Sequence, residues 1–247
     1  MAITGMTGAV YVSDVNAAPV SFNDELCTGD SEGKRYRIDD PDLRCWDPSA
    51  PVLVEVNGAP VVTGFKLENA GGYVVFKEAL SAGAEVTVSG KALTMVQAGG
   101  FFNWSVDGDA DDEDATTFAS GGWKEFDRTL LSWSGSAEAH WGDHRFFESL
   151  GKTVVVKLYT DAGEAQDCLE GFAIITGDGI ESPVEGLVDE SIDFQGTGPL
   201  YIRMDDDEEA QGAGMQAMGM GMGDPDPSGG MILGVDDPEE EEEQGEF

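Results

Sequence analysis

Residues 106–118, VDGDADDEDATTF, crowd six carboxylates into one short stretch and have the look of a calcium loop. An EF-hand loop needs oxygen ligands at positions 1, 3 and 5, Gly at position 6 and a bidentate Glu at position 12. Counted from Asp107, the Gly position holds Asp112 and the Glu position Phe118; from Asp109 they hold Asp114 and Ser120, and from Asp112 they hold Thr117 and Trp123. Every register fails, so the acids need another explanation. Other candidate chemistry fails as well. His140 and His144 are four apart, but Gly142 lies between them and no Glu follows His140, which argues against a helical zinc pair. Gly151-Lys152-Thr153 resembles the end of a phosphate loop, yet Phe146 stands where the opening Gly belongs. No G-x-S-x-G supplies a nucleophile elbow. Met215, Met218, Met220 and Met222 could in principle bind Cu(I), but their Gly-rich, acidic surroundings read as a solvated tail. Catalytic residues, metal ligands and cofactors are therefore all expected to be absent, and the chain is not expected to be an enzyme.

The elements that hold these acids are strands. From Phe101, the residues Phe102, Trp104, Val106 and Ala110 fall on one face and Asn103, Ser105, Asp107, Asp109 and Asp111 on the other. From Leu131, the residues Trp133, Ala137, Ala139 and Trp141 alternate with Ser132, Ser134, Ser136, Glu138 and His140. Period two of this kind predicts an antiparallel pair with one packed face and one wet face. A third strand, 187–195, sets Asp189, Ser191, Asp193 and Gln195 against Val188, Ile192 and Phe194, with Glu190 breaking the apolar side. Further strands are expected at 52–56, 61–67, 73–76, 85–88, 153–159 and 169–176. One helix is expected at 143–151, with Asp143 as N-cap, Phe146, Phe147 and Leu150 as its apolar stripe and Gly151 at its end. Residues 1–50 read as irregular, with a charged cluster at Lys34-Arg35-Tyr36-Arg37.

With 247 residues and 34 glycines, the chain is long enough for one or two cored domains made of short strands. Its net charge of −36 excludes binding of nucleic acid by phosphate neutralisation. Residues 203–247 carry 15 acids against one Arg, net −14, while residues 1–202 carry 34 acids against 12 bases, net −22. The body is thus strongly acidic in its own right, as expected of a protein that works in concentrated salt. Cys27, Cys45 and Cys168 form no C-x-x-C and read as reduced thiols. The first fifteen residues have neither a basic stretch nor a sustained apolar run, so no signal peptide is expected, and no apolar run suits a membrane helix. The expected domains are an N-terminal arm with a small strand region at 1–95, a β-domain at 96–202 and an acidic Gly/Met-rich extension at 203–247. Within that extension, Met231-Ile232-Leu233 is a candidate docking anchor.

Four consecutive stretches, Phe102-Asn103-Trp104-Ser105-Val106-Asp107, Asp114-Ala115-Thr116-Thr117-Phe118, Gly122-Trp123-Lys124-Glu125-Phe126 and Ser134-Gly135-Ser136-Ala137-Glu138, resemble the first half of major tail tube proteins of long non-contractile tailed viruses. Gly171-Phe172-Ala173-Ile174-Ile175-Thr176-Gly177, Ser182-Pro183-Val184-Glu185-Gly186-Leu187-Val188 and Phe194-Gln195-Gly196-Thr197-Gly198-Pro199-Leu200 resemble that family's closing hairpin. The resemblance covers 99–202 well and 51–95 loosely, and it leaves out the acidic extension. It implies a mainly β fold, a β-sandwich with one short flanking helix, whose hexameric rings close a central β-barrel lumen and stack into a tube for genome delivery. The implied partners are further copies of the chain, a tape measure protein, and tail terminator and tail tip proteins. Viral DNA would only pass through, and no membrane is involved. The protein would be made in the host cytoplasm and reside in the virion tail. On this reading Asn103, Ser105, Asp107, Asp109, Ser132, Ser134, Ser136, Glu138, Asp189, Ser191 and Asp193 line the lumen. Asp114, Thr117, Phe118, Trp123, Lys124 and Phe126 belong to a loop reaching another subunit or ring. The alternative is a non-enzymatic β-rich surface-binding or decoration module of a virion.

Overall fold

A computed structural model describes residues 8–140, 145–160, 167–184 and 186–203. Trp141, Gly142, Asp143, His144, the methionine-rich stretch and Met231-Ile232-Leu233 lie outside those residues. The fold is mainly β: among the described residues, fourteen strands form two seven-stranded antiparallel sheets. The first sheet contains β1 (Ala9–Ser13), β9 (Met95–Ala98), β10 (Phe101–Asp114), β11 (Phe126–His140), β12 (Thr153–Tyr159), β13 (Cys168–Glu181) and β14 (Asp189–Arg203), in the order β10-β11-β14-β13-β12-β1-β9. The second contains β2 (Val20–Gly29), β3 (Arg35–Ile38), β4 (Leu53–Val56), β5 (Ala59–Val61), β6 (Phe65–Glu68), β7 (Tyr73–Phe76) and β8 (Val86–Ala92), in the order β5-β4-β8-β2-β3-β7-β6. The whole second sheet is inserted between β1 and β9, which are neighbours in the first.

The first sheet is rolled. Its two edge strands, β9 and β10, are joined by only Gly99-Gly100, and Gly100 turns with φ +82 while its carbonyl accepts the His140 amide at 3.0 Å. Val10 of β1 and Phe101 of β10, far apart in strand order, line one small space with Ala137, Phe146, Ile175 and Phe194. Trp133, Ile192, Leu158 and Val156 complete that core, whereas the second sheet curls over its own, built on Trp46, Ile38, Phe22 and Phe76.

Residues 8–50 are not irregular as the sequence suggests. β1 is covered on both faces, so AVYVS shows no alternation to read. β2 carries a bulge between Phe22 and Glu25, with Asp24 at φ +52, which breaks its period. β3 is the supposed charged cluster: Tyr36 and Ile38 point into the core, and Arg35 and Arg37 take the other face. The expected helix is a single turn, α1 (Arg145–Glu148), with Phe146 packed on Phe101 at 5.7 Å between ring centroids.

The two sheets meet across a buried ionic network. Glu170 on β13 is fully buried and takes Lys157 Nζ at 3.1 Å and Arg203 Nε at 2.8 Å. Arg203 Nη2 then reaches Glu68 of the second sheet at 2.9 Å, and Arg35 Nη2 reaches the same oxygen at 3.0 Å. Burial alone would raise the Glu170 pKa, but Lys157 and Arg203 outweigh it and bring it down to about 2. The ionised form therefore stabilises the fold fully above the ordinary value of 4.5, and that stability is lost as pH falls from there toward 2. E170Q leaves buried Lys157 without its anion and Arg203 with Glu68 alone, and is expected to cost about 3–5 kcal/mol at neutral pH. Urea unfolding of wild type and variant from pH 7 to pH 2 checks this: the gap should close across the acid range, and a gap independent of pH would reject the account.

Candidate functional site

The pleat gathers the sequence-predicted acids onto one face. In the β10–β11 ladder Asn103 faces Glu138, Ser105 faces Ser136, Asp107 faces Ser134 and Asp109 faces Ser132. In the β11–β14 ladder Ser136 faces Asp193, Glu138 faces Ser191 and His140 faces Asp189. All eleven residues expected on the wet side thus lie side by side on three adjacent strands, opposite Trp133, Ala137, Ile192 and Phe194, which are buried. Cross-strand contacts hold the polar side chains: Asn103 Nδ2 donates to Glu138 Oε2 at 3.0 Å, Ser105 and Ser136 hydroxyls pair at 3.1 Å, and His140 Nδ1 lies 2.8 Å from Asp189 Oδ1.

Sequence reasoning missed a fourth strand of this face. β13 is longer than expected, and Gly177, Gly179 and Glu181 sit beside Asp193, Ser191 and Asp189. A register shift between Ile175 and Gly177 hid this, because it breaks the alternation at the point where β13 leaves the core. The four-stranded face carries Asp107, Asp109, Glu138, Glu181, Asp189 and Asp193 and no Lys or Arg. Behind it Asp178 and Glu190 lie close together on the core side. Burial raises the Asp178 pKa, and its hydrogen bond with Glu190 only partly offsets that. One expectation is corrected here. A register shift between Phe101 and Asn103 sends Phe101, not Phe102, to the core, and Phe102 stays 55% exposed against the His140 ring.

The loop residues are not on that face. Ser134 is the first β11 residue paired on both sides, so β10 beyond Asp107 and β11 before Ser134 form a bare two-stranded ribbon. At its tip Asp114 bonds Lys124 at 3.3 Å, Thr117 and Ser120 hydrogen-bond each other, and the Ser120 hydroxyl reaches Glu125 at 2.9 Å. Hydrogen bonding from Thr116, helped by Lys124, holds the Asp114 carboxyl below its usual range. The apolar groups do not fold back: Phe118 is fully exposed, Trp123 is 81% and Phe126 54% exposed, and Leu130 stands open beside them. A two-stranded ribbon is marginal alone, and an ordered tip with outward aromatics has the character of an unfilled contact.

Two free backbone edges complete the geometry. Among the described residues, β10 pairs only with β11. β12 pairs with β13 only up to Ile174, so among the described residues Thr176–Glu181 have no strand partner on the side away from β14. The acidic face is therefore bounded left and right by unpaired edges. What this arrangement can do chemically is repel anions and pair with other strands. Among the described residues no group of three His, Cys, Asp or Glu could hold a metal ion.

No protein-family model matches the chain, and no curated protein matches it. Among solved structures it is similar to a chain in the tail of an empty gene transfer agent particle computed with helical refinement in C6 symmetry, at 19% identity and a TM-score of 0.36, over 44% of this chain and 87% of that one. A chain from the virion of a native gene transfer agent particle is similar at the same identity and TM-score, over 44% and 88%. A likeness this loose carries no argument about function, which has to come from the chain's own geometry.

The acidic face depends on tight packing behind it. A Cβ at Gly196 would run into the Trp133 indole, whose Nε1 donates to the Gly198 carbonyl at 3.0 Å. G196A is therefore expected to displace the indole and cost about 1–3 kcal/mol by overpacking, whereas S136A on the wet side should stay within about 0.5 kcal/mol. Thermal melts read through tryptophan fluorescence separate the two outcomes.

Proposed function

We propose that the chain is a structural subunit of a viral tail tube, in which copies join side by side into hexameric rings and rings stack into a conduit for the genome. The observation that carries this reading is the four-stranded acidic face with an unpaired edge on each side. Joining β10 of one copy to the open end of β13 in the next satisfies both edges and continues the sheet. Repeated around a ring, that pairing closes a barrel and abolishes the edges. The face without Lys or Arg then becomes the lumen, lined by Asn103, Ser105, Asp107, Asp109, Ser132, Ser134, Ser136, Glu138, Asp189, Ser191 and Asp193. Phosphates are repelled rather than bound there, so DNA can slide.

The ribbon tip gives the axial contact. Phe118, Trp123 and Phe126, held by the Asp114–Lys124 pair and the Thr117–Ser120 turn, reach a neighbouring ring and bury there as aromatic anchors. A tape measure protein inside the tube and terminator and tip proteins at its ends are the partners this role requires, in the tail of a virion assembled from protein made in the host cytoplasm. Catalysis and cofactors have no part in it. A net charge of −36 per chain opposes assembly in dilute buffer, and concentrated salt relieves it by shortening the Debye length to about 3 Å at 1 M. A halophilic host supplies that condition.

Negative-stain microscopy of the purified protein in about 2 M KCl, a concentration chosen to screen its charge, is expected to show six-fold rings or hollow tubes. Single small particles at every salt concentration would reject the reading. F118A/W123A should abolish stacking while rings persist, and tubes of normal length from that variant would remove the tip from the axial contact. D107K/D109K should convert a tube that does not retain duplex DNA into one that does, measured by co-sedimentation. Unchanged co-sedimentation would place these acids outside the lumen.

A further inference from the structure

The last described strand ends beside cations that lack an acid. β14 stops at Arg203, whose guanidinium lies 4.5 Å from the Tyr73 ring centroid, and Arg35 and Arg37 crowd the same ring at 4.8 and 5.0 Å. Arg35 and Arg203 share Glu68. Arg37 has no such partner: among the described residues no carboxylate lies within ion-pair distance of it, and its Nε is buried without an acceptor. Arg44 is in the same position. Its Nε and Nη2 donate only to the carbonyls of Ile38 and Asp39, at 3.3 and 3.2 Å. Burial and then the charge of Arg37 push its pKa down, and the nearby Asp39 carboxylate, which makes no ion pair with it, only partly offsets this. Both residues are half-buried, neither enclosed in the core nor fully open to solvent. In a chain with 49 acids and 13 bases, two guanidiniums at one rim that make no ion pair with any described carboxylate call for an anionic partner.

Such a partner leaves the fold at that rim. Asp205-Asp206-Asp207-Glu208-Glu209 begins two residues after Arg203. At roughly 3.3–3.6 Å per extended residue these carboxylates can reach about 7–20 Å from Arg203, enough to pass across the Tyr73 ring to Arg37 and beyond. Carboxylates match the planar fork of a guanidinium better than any other side chain on this acidic protein. We propose that the acid run 205–209 docks in cis on Arg37 and Arg44, anchoring the base of the C-terminal extension to the seam between the two sheets. The occupant is the chain's own segment because its reach begins at the site itself, whereas an acidic segment of a second copy would first have to overcome repulsion between two bodies of like charge.

Carbodiimide coupling joins an amine to a carboxylate it already touches, so R37K and R44K turn the proposed contact into a covalent readout. The full chain carrying each substitution is coupled as an equal mixture of light and nitrogen-15 protein and mapped by mass spectrometry. The expected product links position 37 or 44 to 205–209 within one chain, in excess over products from the exposed Lys34 and Lys91. It should disappear in D205N/D206N/D207N/E208Q/E209Q. Mixed-isotope products would overturn docking in cis, and so would coupling no greater than at Lys34 or Lys91. Melting temperatures supply a second readout. Neutralising the five acids relieves repulsion in every background, but in the wild type it also removes the contact. The rise in melting temperature is therefore expected to be larger in R37Q/R44Q than with both arginines present, and equal rises would overturn the proposal.

Discussion

Glu170 is the point on which the two sheets turn. It is a fully buried carboxylate, and its two cations come from the neighbouring strands of its own sheet, Lys157 and Arg203. Through Arg203 it reaches Glu68 and so the inserted sheet. A buried ion pair is weak evidence for net stability, because desolvation offsets much of the attraction. Its value here lies in position. Once two carboxylates and three cations are enclosed, only one relative placement of the sheets satisfies them, and any other leaves a buried charge alone. Gly71 fits the same constraint, since a Cβ there would collide with Glu170 and Tyr73.

The same strands tie this seam to the acidic face. β13 and β14 pair from Cys168–Arg203 at the seam to Glu181–Asp189 at the other end, a span of roughly 40 Å at about 3.3 Å per residue. Cations concentrate at one end of this hairpin and carboxylates at the other. Between them Ile175, Ile192 and Phe194 pack against Trp133. Burial of that inner face holds Asp189 and Asp193 in a row that mutual repulsion alone would disperse, since each buried large apolar side chain contributes about 1.5–3 kcal/mol. Because side chains alternate with period two, the core and the acidic face are fixed together: a slip of one residue would bury the acids and expose the core.

That coupling explains which features could be read from sequence. Strict alternation in 131–140 and 189–195 made the wet face legible residue by residue, down to Glu190 as the intruder on the buried side. Where a bulge interrupts the period, as between Phe101 and Asn103 or after Ile175, the side facing the core changes without any mark in residue type. Phe102 and the glycine-bearing part of β13 were misread or missed for that reason. The arm strand β1 is invisible in sequence because both of its faces are covered, and Arg35 with Arg37 reads only as a charged cluster in an irregular arm because nothing local announces Glu68, which is 33 residues away from Arg35. The ionic seam is a product of tertiary approach alone.

An exposed edge strand as long as β10 is normally a template for uncontrolled pairing. Here its outer half carries Asp107, Asp109, Asp111, Asp112, Glu113 and Asp114, opposed by Arg128 and Lys124 only near the tip. In dilute buffer, where the Debye length is about 30 Å at 0.01 M, such a row repels another acidic edge before backbone groups can meet. At molar salt the same repulsion is confined to about 3 Å, shorter than the roughly 4.8 Å between paired strands, and the backbone groups become free to bond. The acidic composition, the free edges and the outward aromatic tip then stop being three separate oddities. In the proposed tube, charge would keep the edges and the tip unpaired until screening is strong, and the unmet backbone and apolar groups would supply the attraction once it is.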